Sequence, residues 1–234
     1  MDIAGKKAIV FGGTSGIGLA TAKQLVAQGA EVIAVSRDPS KAGDVPAGIT
    51  LKACDVRDRD ALAKLFSDCA PFDILVSSAT GGSRSAGAFL EMDMDGFQGS
   101  FDKLWGYANV VRFGTEHLAQ DGAIVLLSGA PARNPKPGQV SLSAVGSAVE
   151  ALVRSLATEI APRRINVVSP GFIDTPLMPL EGQERADTYT KITADHAIKR
   201  AGTADEVAQG VLFALTNDFV TGTTIDVDGG WLLA

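Results

Sequence analysis

Short apolar runs rich in β-branched residues alternate with stretches of helical periodicity along almost the whole chain. Runs at Lys7–Phe11, Glu31–Ser36, Thr50–Ala53, Ile74–Ser78, Ala123–Ser128, Arg164–Ser169 and Thr224–Val227 predict strands. Between them, the spacing predicts helices over Ile17–Gln28, Arg59–Phe66, Phe97–Leu118, Ser143–Ile160 and Ala204–Ala214. In the first of these, Leu19, Ala22, Leu25 and Val26 make one apolar face, and Gly29 follows where a left-handed C-cap belongs. Strand and helix in strict alternation imply βαβ units: a doubly wound α/β fold with a parallel sheet and helices on both faces. Ligands of such a sheet collect at the carboxyl ends of its strands, where the irregular stretches Thr80–Ala88 and Pro131–Gly138 fall.

With 234 residues, the chain has the size of one large domain, residues 1–234, and no linker or internal repeat divides it. Its 21 Lys and Arg against 27 Asp and Glu give a net charge of −6, which argues against nucleic acid or an anionic membrane and for a small-molecule substrate. The run Ala8–Phe11 is too short for a signal-peptide core or a membrane span, so a cytoplasmic location is expected. Cys54 and Cys69 have neither metal-ligand nor C-x-x-C spacing and read as reduced structural thiols; no metal site is expected.

The first strand runs straight into Gly12-Gly13-Thr14-Ser15-Gly16-Ile17-Gly18, and a helix begins at once. Glycines alone would mark only a turn. Between a first strand and a helix they make a dinucleotide fingerprint, in which Gly12 allows the tight turn, Gly16 the approach of a pyrophosphate, and Gly18 close helix–strand packing. An NAD site usually carries an acid at the end of the second strand, whereas this chain has Ser36-Arg37. A guanidinium there suits a 2′-phosphate, so NADP(H) is expected over NAD(H). The bland alternative pairs Arg37 with Asp38 as a solvated loop cation.

These residues resemble the short-chain dehydrogenase/reductase family, and the likeness runs along essentially the whole chain. Asp55-Val56 is similar to the family's adenine-contacting pair, and Ser77-Ser78-Ala79-Thr80 stands where Asn-Asn-Ala-Gly is usual. Pro170-Gly171-Phe172-Ile173-Asp174-Thr175 matches the segment that meets the nicotinamide. The resemblance implies a Rossmann-type sheet, a mobile substrate lid over about residues 176–200, and assembly as a homotetramer or homodimer, for which Trp231-Leu232-Leu233 offer apolar surface. The family's catalytic Asn, Ser, Tyr and Lys fall, counted without gaps, on Lys103, Gly129, Leu142 and Gly146. Leucine and glycine cannot give a proton or hold a ribose, so alcohol–carbonyl chemistry by the usual acid is excluded.

Three residues are candidates for substitute catalytic groups. Lys103 puts an ammonium on the helix beside the place vacated at Gly146, Tyr107 follows on the same helix face, and Ser128 ends the fifth strand. Each has a bland reading: an ion-paired surface lysine, an aromatic at a subunit interface, and a serine serving the backbone. Arg133, Asn134, Lys136 and the earlier Arg84 could serve an anionic substrate but read first as a solvated cationic rim, and Leu177, Met178 and Leu180 as the closure of an apolar pocket. Two functions remain open: an atypical NADP(H)-dependent oxidoreductase acting on a small carbonyl or conjugated substrate, and a non-catalytic NADP(H)-binding sensor or partner subunit.

Overall fold

A computed structural model describes residues 1–43, 45–80 and 85–234, so Arg84 lies outside the described residues. In chain order the elements are β1 (Lys7–Phe11), α1 (Gly16–Ala27), β2 (Glu31–Ser36), β3 (Ile49–Ala53), α2 (Arg59–Cys69), β4 (Phe72–Ser77), α3 (Met94–Ser100) and α4 (Asp102–Gly114). They continue with β5 (Leu118–Leu127), α5 (Val140–Glu159), β6 (Arg164–Pro170), β7 (Ile173–Asp174), α6 (Gly182–Ile192), β8 (Gly202–Thr203), α7 (Ala204–Thr216) and β9 (Thr224–Val227).

Seven strands form one parallel sheet in the order β3-β2-β1-β4-β5-β6-β9. Alternate residues of each strand feed opposite layers. Ile9 and Phe11 of β1 join Leu62 and Phe66 of α2, Val110 of α4, and Val149 and Val153 of α5 on one face. Ala8 and Val10 join Leu25 of α1 and Val207 and Val211 of α7 on the other. Burial on both sides is why these strands read as continuous apolar runs rather than alternating ones. The result is a single-domain Rossmann-like α/β fold, whose strand order reverses between β1 and β4 and opens a crevice there. By length and composition α5 could cross a membrane; in this fold its Val145, Val149 and Val153 pack into the core.

Two features depart from the sequence-based expectation and one bears it out. The expected helix over Phe97–Leu118 is two helices, α3 and α4, hinged at Phe101, and Leu118 already belongs to β5. Asp93 caps the earlier start, its carboxylate accepting from the Gly96 N–H at 2.8 Å. The expected lid contains a helix of its own, α6, and a two-stranded parallel ribbon of β7 with β8 closes beside it. The helix ending at Gly29 does take the left-handed cap, with φ +88° there and the Ala30 N–H donating to the Leu25 carbonyl at 3.1 Å.

At the crevice, β1's turn, α1 and the end of β4 meet at backbone distance. A Cβ at Gly18 would collide with the Gly12 carbonyl and lie 2.5 Å from the Ser78 hydroxyl oxygen. Gly18→Ala is therefore expected to cost about 1–3 kcal/mol by overpacking, read as a lower melting temperature, and to weaken dinucleotide binding in parallel.

Candidate functional site

Two cavities share a wall at the carboxyl ends of β1, β4, β5 and β6. The first, about 380 Å³, is lined by Gly12, Thr14, Ser15, Gly16, Ile17, Gly18, Ser36, Arg37, Asp55, Val56, Ser78, Ala79, Thr80, Pro170 and Thr175. Gly171 and Ile173, the remaining residues expected at the dinucleotide, line the second cavity instead. Gly12 sits at φ +74°, and Ser15 caps α1 in extended conformation without a side-chain bond to the first turn, which leaves that turn's N–H groups to an anion. The Ser78 hydroxyl donates to the Phe11 carbonyl at 3.1 Å and ties β4 to β1 beneath them.

At the far end of this cleft the Ser36 hydroxyl is buried with no hydrogen-bond partner among the described residues, and Arg37 is exposed beside it. Asp38 does not pair with Arg37: its carboxylate accepts from the Ser40 N–H at 3.2 Å and meets Lys41 at 3.3 Å. The Ser40 hydroxyl and Lys41 hold the Asp38 carboxyl below its ordinary range. Asp55 accepts from the Arg57 N–H at 2.9 Å, and the Asn109 amide donates to the Val56 carbonyl at 3.1 Å. Asn109, absent from the sequence reading, is thus what holds the Asp55-Val56 floor from α4. Cys54 also lines the cleft, and burial, with Asp58 and Asp55 nearby, pushes its thiol up to about 11, which keeps it unreactive.

The second cavity, about 320 Å³, has Leu142, Val145, Phe172, Met178 and Trp231 among its apolar walls. Lys103, Ser128, Thr80 and Leu177 line both cavities. The Lys103 ammonium donates to the Ser128 carbonyl at 3.1 Å and stands 5.5 Å from the centre of the Tyr107 ring. The Ser128 hydroxyl donates to the Glu150 carboxylate at 3.0 Å. Glu150, on α5 and only 4% exposed, also meets the Arg133 guanidinium at 3.4 Å, which pairs in turn with Asp226. Sequence reasoning missed this carboxylate, because one acid in an apolar helix carries no spacing signal.

Several bland readings are replaced. Tyr107 is fully buried under Lys103 in the chain's own core and is no interface aromatic; the exposed aromatic of α4 is Trp105, at 59%. Arg133, Asn134 and Lys136 are partnered as well as solvent-accessible, Arg133 being exposed. Arg133 is held by two carboxylates, Asn134 donates to the Trp231 carbonyl at 3.1 Å, and Lys136 donates to the Ala234 carbonyl at 2.7 Å. Trp231, expected on an assembly surface, is 5% exposed, with its indole N–H on the Asn134 carbonyl and its ring facing the cavity.

A clamp organises the segment where a lid is expected. Arg185 of α6 donates to the carbonyls of Met178 and Leu180, both at 2.8 Å, and of Thr175 at 3.0 Å, and pairs with Asp174. Tyr189 donates to the same Asp174 carboxylate at 2.8 Å and packs edge-on against Phe172. Arg185 first, and Tyr189 after it, hold the Asp174 carboxyl below its ordinary range. Leu177 and Met178 are thereby presented to the cavity, while Leu180 contributes its carbonyl to the clamp.

The family described as enoyl-(acyl carrier protein) reductase matches residues 12–232, nearly the whole of this architecture. The chain belongs to the short-chain dehydrogenase/reductase family. Among its relatives, "Carbonyl reductase family member 4" of Xenopus tropicalis is 33% identical, over 96% of this chain and 97% of that one. The "Cyclic-di-GMP-binding biofilm dispersal mediator protein" of Escherichia coli (strain K12) is 32% identical, over 97% of each. A small-chain dehydrogenase solved in complex with NADPH superposes with a TM-score of 0.88 at 32% identity, covering 98% of this chain and all of that one. The oxidoreductase family and its fold are therefore shared, while the relatives' names diverge in what they do.

The steric setting of the two glycines facing the second cavity differs. A Cβ at Gly129 meets Pro131 at an ordinary 3.6 Å, and one at Gly146 would lie 2.9 Å from the Ala132 Cβ. Gly129→Ser is expected to leave the melting temperature nearly unchanged. Gly146→Lys is expected to lower it by several degrees, following an overpacking cost of about 1–3 kcal/mol, and Ala132→Gly in the same chain to recover most of the loss.

Proposed function

We propose that this protein is an NADP(H)-dependent oxidoreductase that serves a small carbonyl or conjugated substrate with substitute catalytic groups, Lys103 supplying the cation in place of the family's usual acid. The cleft's residues fit the cofactor. The turn Gly12–Gly18 and the first N–H groups of α1 suit a pyrophosphate, the unpartnered Ser36 hydroxyl and Arg37 suit a 2′-phosphate, and Asp55 and Val56 suit the adenine end. Pro170, Gly171, Ile173 and Thr175 stand at the nicotinamide end. When bound, the dihydronicotinamide supplies a hydride.

What carries the reading is where the protons of the second cavity point. The Ser100 hydroxyl donates to the Gly96 carbonyl at 3.0 Å, Ser128 to Glu150, and Ser141 to the Ser85 carbonyl. These three hydroxyls donate within the protein and Leu142 presents only methyl groups to the cavity, whose lining also includes Thr80, Thr175 and Gln139. Lys103, which lines both cavities, brings the one charged side chain among the described lining residues of the second. Its ammonium is placed to stabilise negative charge developing on a substrate oxygen and to return a proton to it. Ser128 fixes that ammonium through its carbonyl, and Glu150 with Arg133 fixes Ser128. Leu142, Gly129 and Gly146 also favour a second reading, in which the nucleotide site is kept and the chemistry lost, as in a binding protein or partner subunit.

Titration with both reduced cofactors is expected to show tighter NADPH than NADH. Arg37→Ala is expected to weaken NADPH alone by about tenfold or more, the scale of one charge-assisted hydrogen bond; equal affinities in the parent protein contradict the preference.

Turnover is to be followed as NADPH oxidation over a panel of ketones, quinones and enones. Lys103→Met is expected to abolish it with NADPH affinity nearly unchanged. Undiminished turnover in that variant removes Lys103 from the mechanism, and a parent inactive on every compound favours the second reading.

A further inference from the structure

The polar lining of the second cavity is permissive. Thr80 and Thr175 bring hydroxyls, Gln139 an amide and Lys103 an ammonium, so a carbonyl oxygen meets donors of more than one kind. Discrimination between ligands then falls to the apolar walls, and a wall discriminates by shape only where it cannot yield. Leu177 and Met178 can turn into other rotamers, methionine being the more adaptable. Trp231 is held in place.

Its indole N–H donates to the Asn134 carbonyl at 2.8 Å, and the Asn134 side-chain amide donates back to the Trp231 carbonyl at 3.1 Å and to the Ala234 carbonyl at 3.0 Å. The Asp228 carboxylate accepts from the Gly230 N–H at 2.9 Å and the Leu232 N–H at 3.0 Å, which fixes the turn that carries the ring. Gly230, at φ +87°, brings this turn against Ala197, where a Cβ would lie 2.6 Å from the Ala197 Cβ. His196 packs on the indole, with ring centres 5.2 Å apart and planes tilted by 57°. The ring cannot swing aside without giving up its bond to Asn134 and its contact with His196.

Phe172 supplies a second aromatic wall of restricted orientation, because the Tyr189 ring stands edge-on to it at 5.2 Å and Tyr189 is itself bonded to Asp174. Two fixed aromatic walls around about 320 Å³ suit a flat conjugated ring, whose faces and edges can meet theirs, better than a globular saturated skeleton of the same size.

We infer that Trp231 is the residue that selects the shape of the ligand in the second cavity, favouring flat conjugated carbonyl compounds over globular saturated ones, and that Asn134 positions it. This rests on the oxidoreductase reading and narrows the substrate class of the same site.

The test compares two methyl ketones with equal numbers of heavy atoms, the flat 2-acetylnaphthalene and the globular 1-acetyladamantane. Calorimetric titration without added cofactor gives the affinity of each and needs no turnover. The parent protein is expected to bind the flat ketone about tenfold more tightly, the scale of an aromatic contact beyond simple burial. Trp231→Phe is expected to keep most of that ratio and Trp231→Leu to lose it. Asn134→Ala leaves the ring in the chain but removes two bonds of its turn, and is expected to lower the ratio part of the way; it also carries the test where Trp231→Leu does not fold. A merely structural Asn134 would weaken both ketones alike and leave the ratio unchanged, which overturns its positioning role. A parent that binds the two ketones equally, or neither, overturns the inference, as does an undiminished ratio in Trp231→Leu. NADPH titration of the same samples separates the two claims. A chain that binds NADPH but shows no preference between the ketones overturns only the shape selection, whereas one that prefers the flat ketone but does not bind NADPH supports the role of Trp231 and overturns the cofactor assignment.

Discussion

Everything at this site depends on how closely three backbones approach one another at the strand-order reversal. The turn after β1, the first turn of α1 and the end of β4 meet where a single Cβ at Gly18 has no room. That contact fixes the direction of α1, and with it the amides offered to a phosphate. It also sets the height at which β4 ends, because Ser78 is bonded to the Phe11 carbonyl. The wall between the two cavities follows from the same constraint, since Ile17 of α1 and Thr80 just after β4 line both.

The fold was legible because a sheet buried on both faces forces its strands to be apolar along their length, and this chain shows seven such runs in order. Boundaries were less legible where a short cap outranked periodicity. Asp93 starts a helix ahead of the apolar pattern, and Phe101 joins two helices that a window average merges. The glycine turn and Ser36-Arg37 could be read because their chemistry is local in sequence. The support of the second cavity could not. Glu150 acquires its meaning only from Ser128 and Arg133, which lie 22 and 17 positions before it and come together through the packing of α5 on the sheet. The family resemblance puts Trp231 on an assembly surface, yet its indole N–H is held by the Asn134 carbonyl and its side chain is buried.

Around Lys103 the polar groups form a relay. The ammonium rests on a carbonyl, the carbonyl belongs to a serine, and the serine's hydroxyl leans on a carboxylate that shares a guanidinium with Asp226. Ser128 thus bridges Lys103 and Glu150, its carbonyl accepting from Lys103 and its hydroxyl donating to Glu150. The aromatic face of Tyr107 beneath the ammonium adds an attraction that leaves the charge in place.

The lid clamp bears on how this pocket can diversify. Arg185 grips main-chain carbonyls of Thr175, Met178 and Leu180, so its hold is indifferent to the side chains that those positions carry. Leu177 and Met178, which face the cavity, can change in size or polarity while the segment bearing them stays anchored by the same bonds. Anchorage and selectivity are thereby written on different atoms of the same few residues. A lineage with this arrangement can try new ligands through single substitutions in the lid without first loosening it.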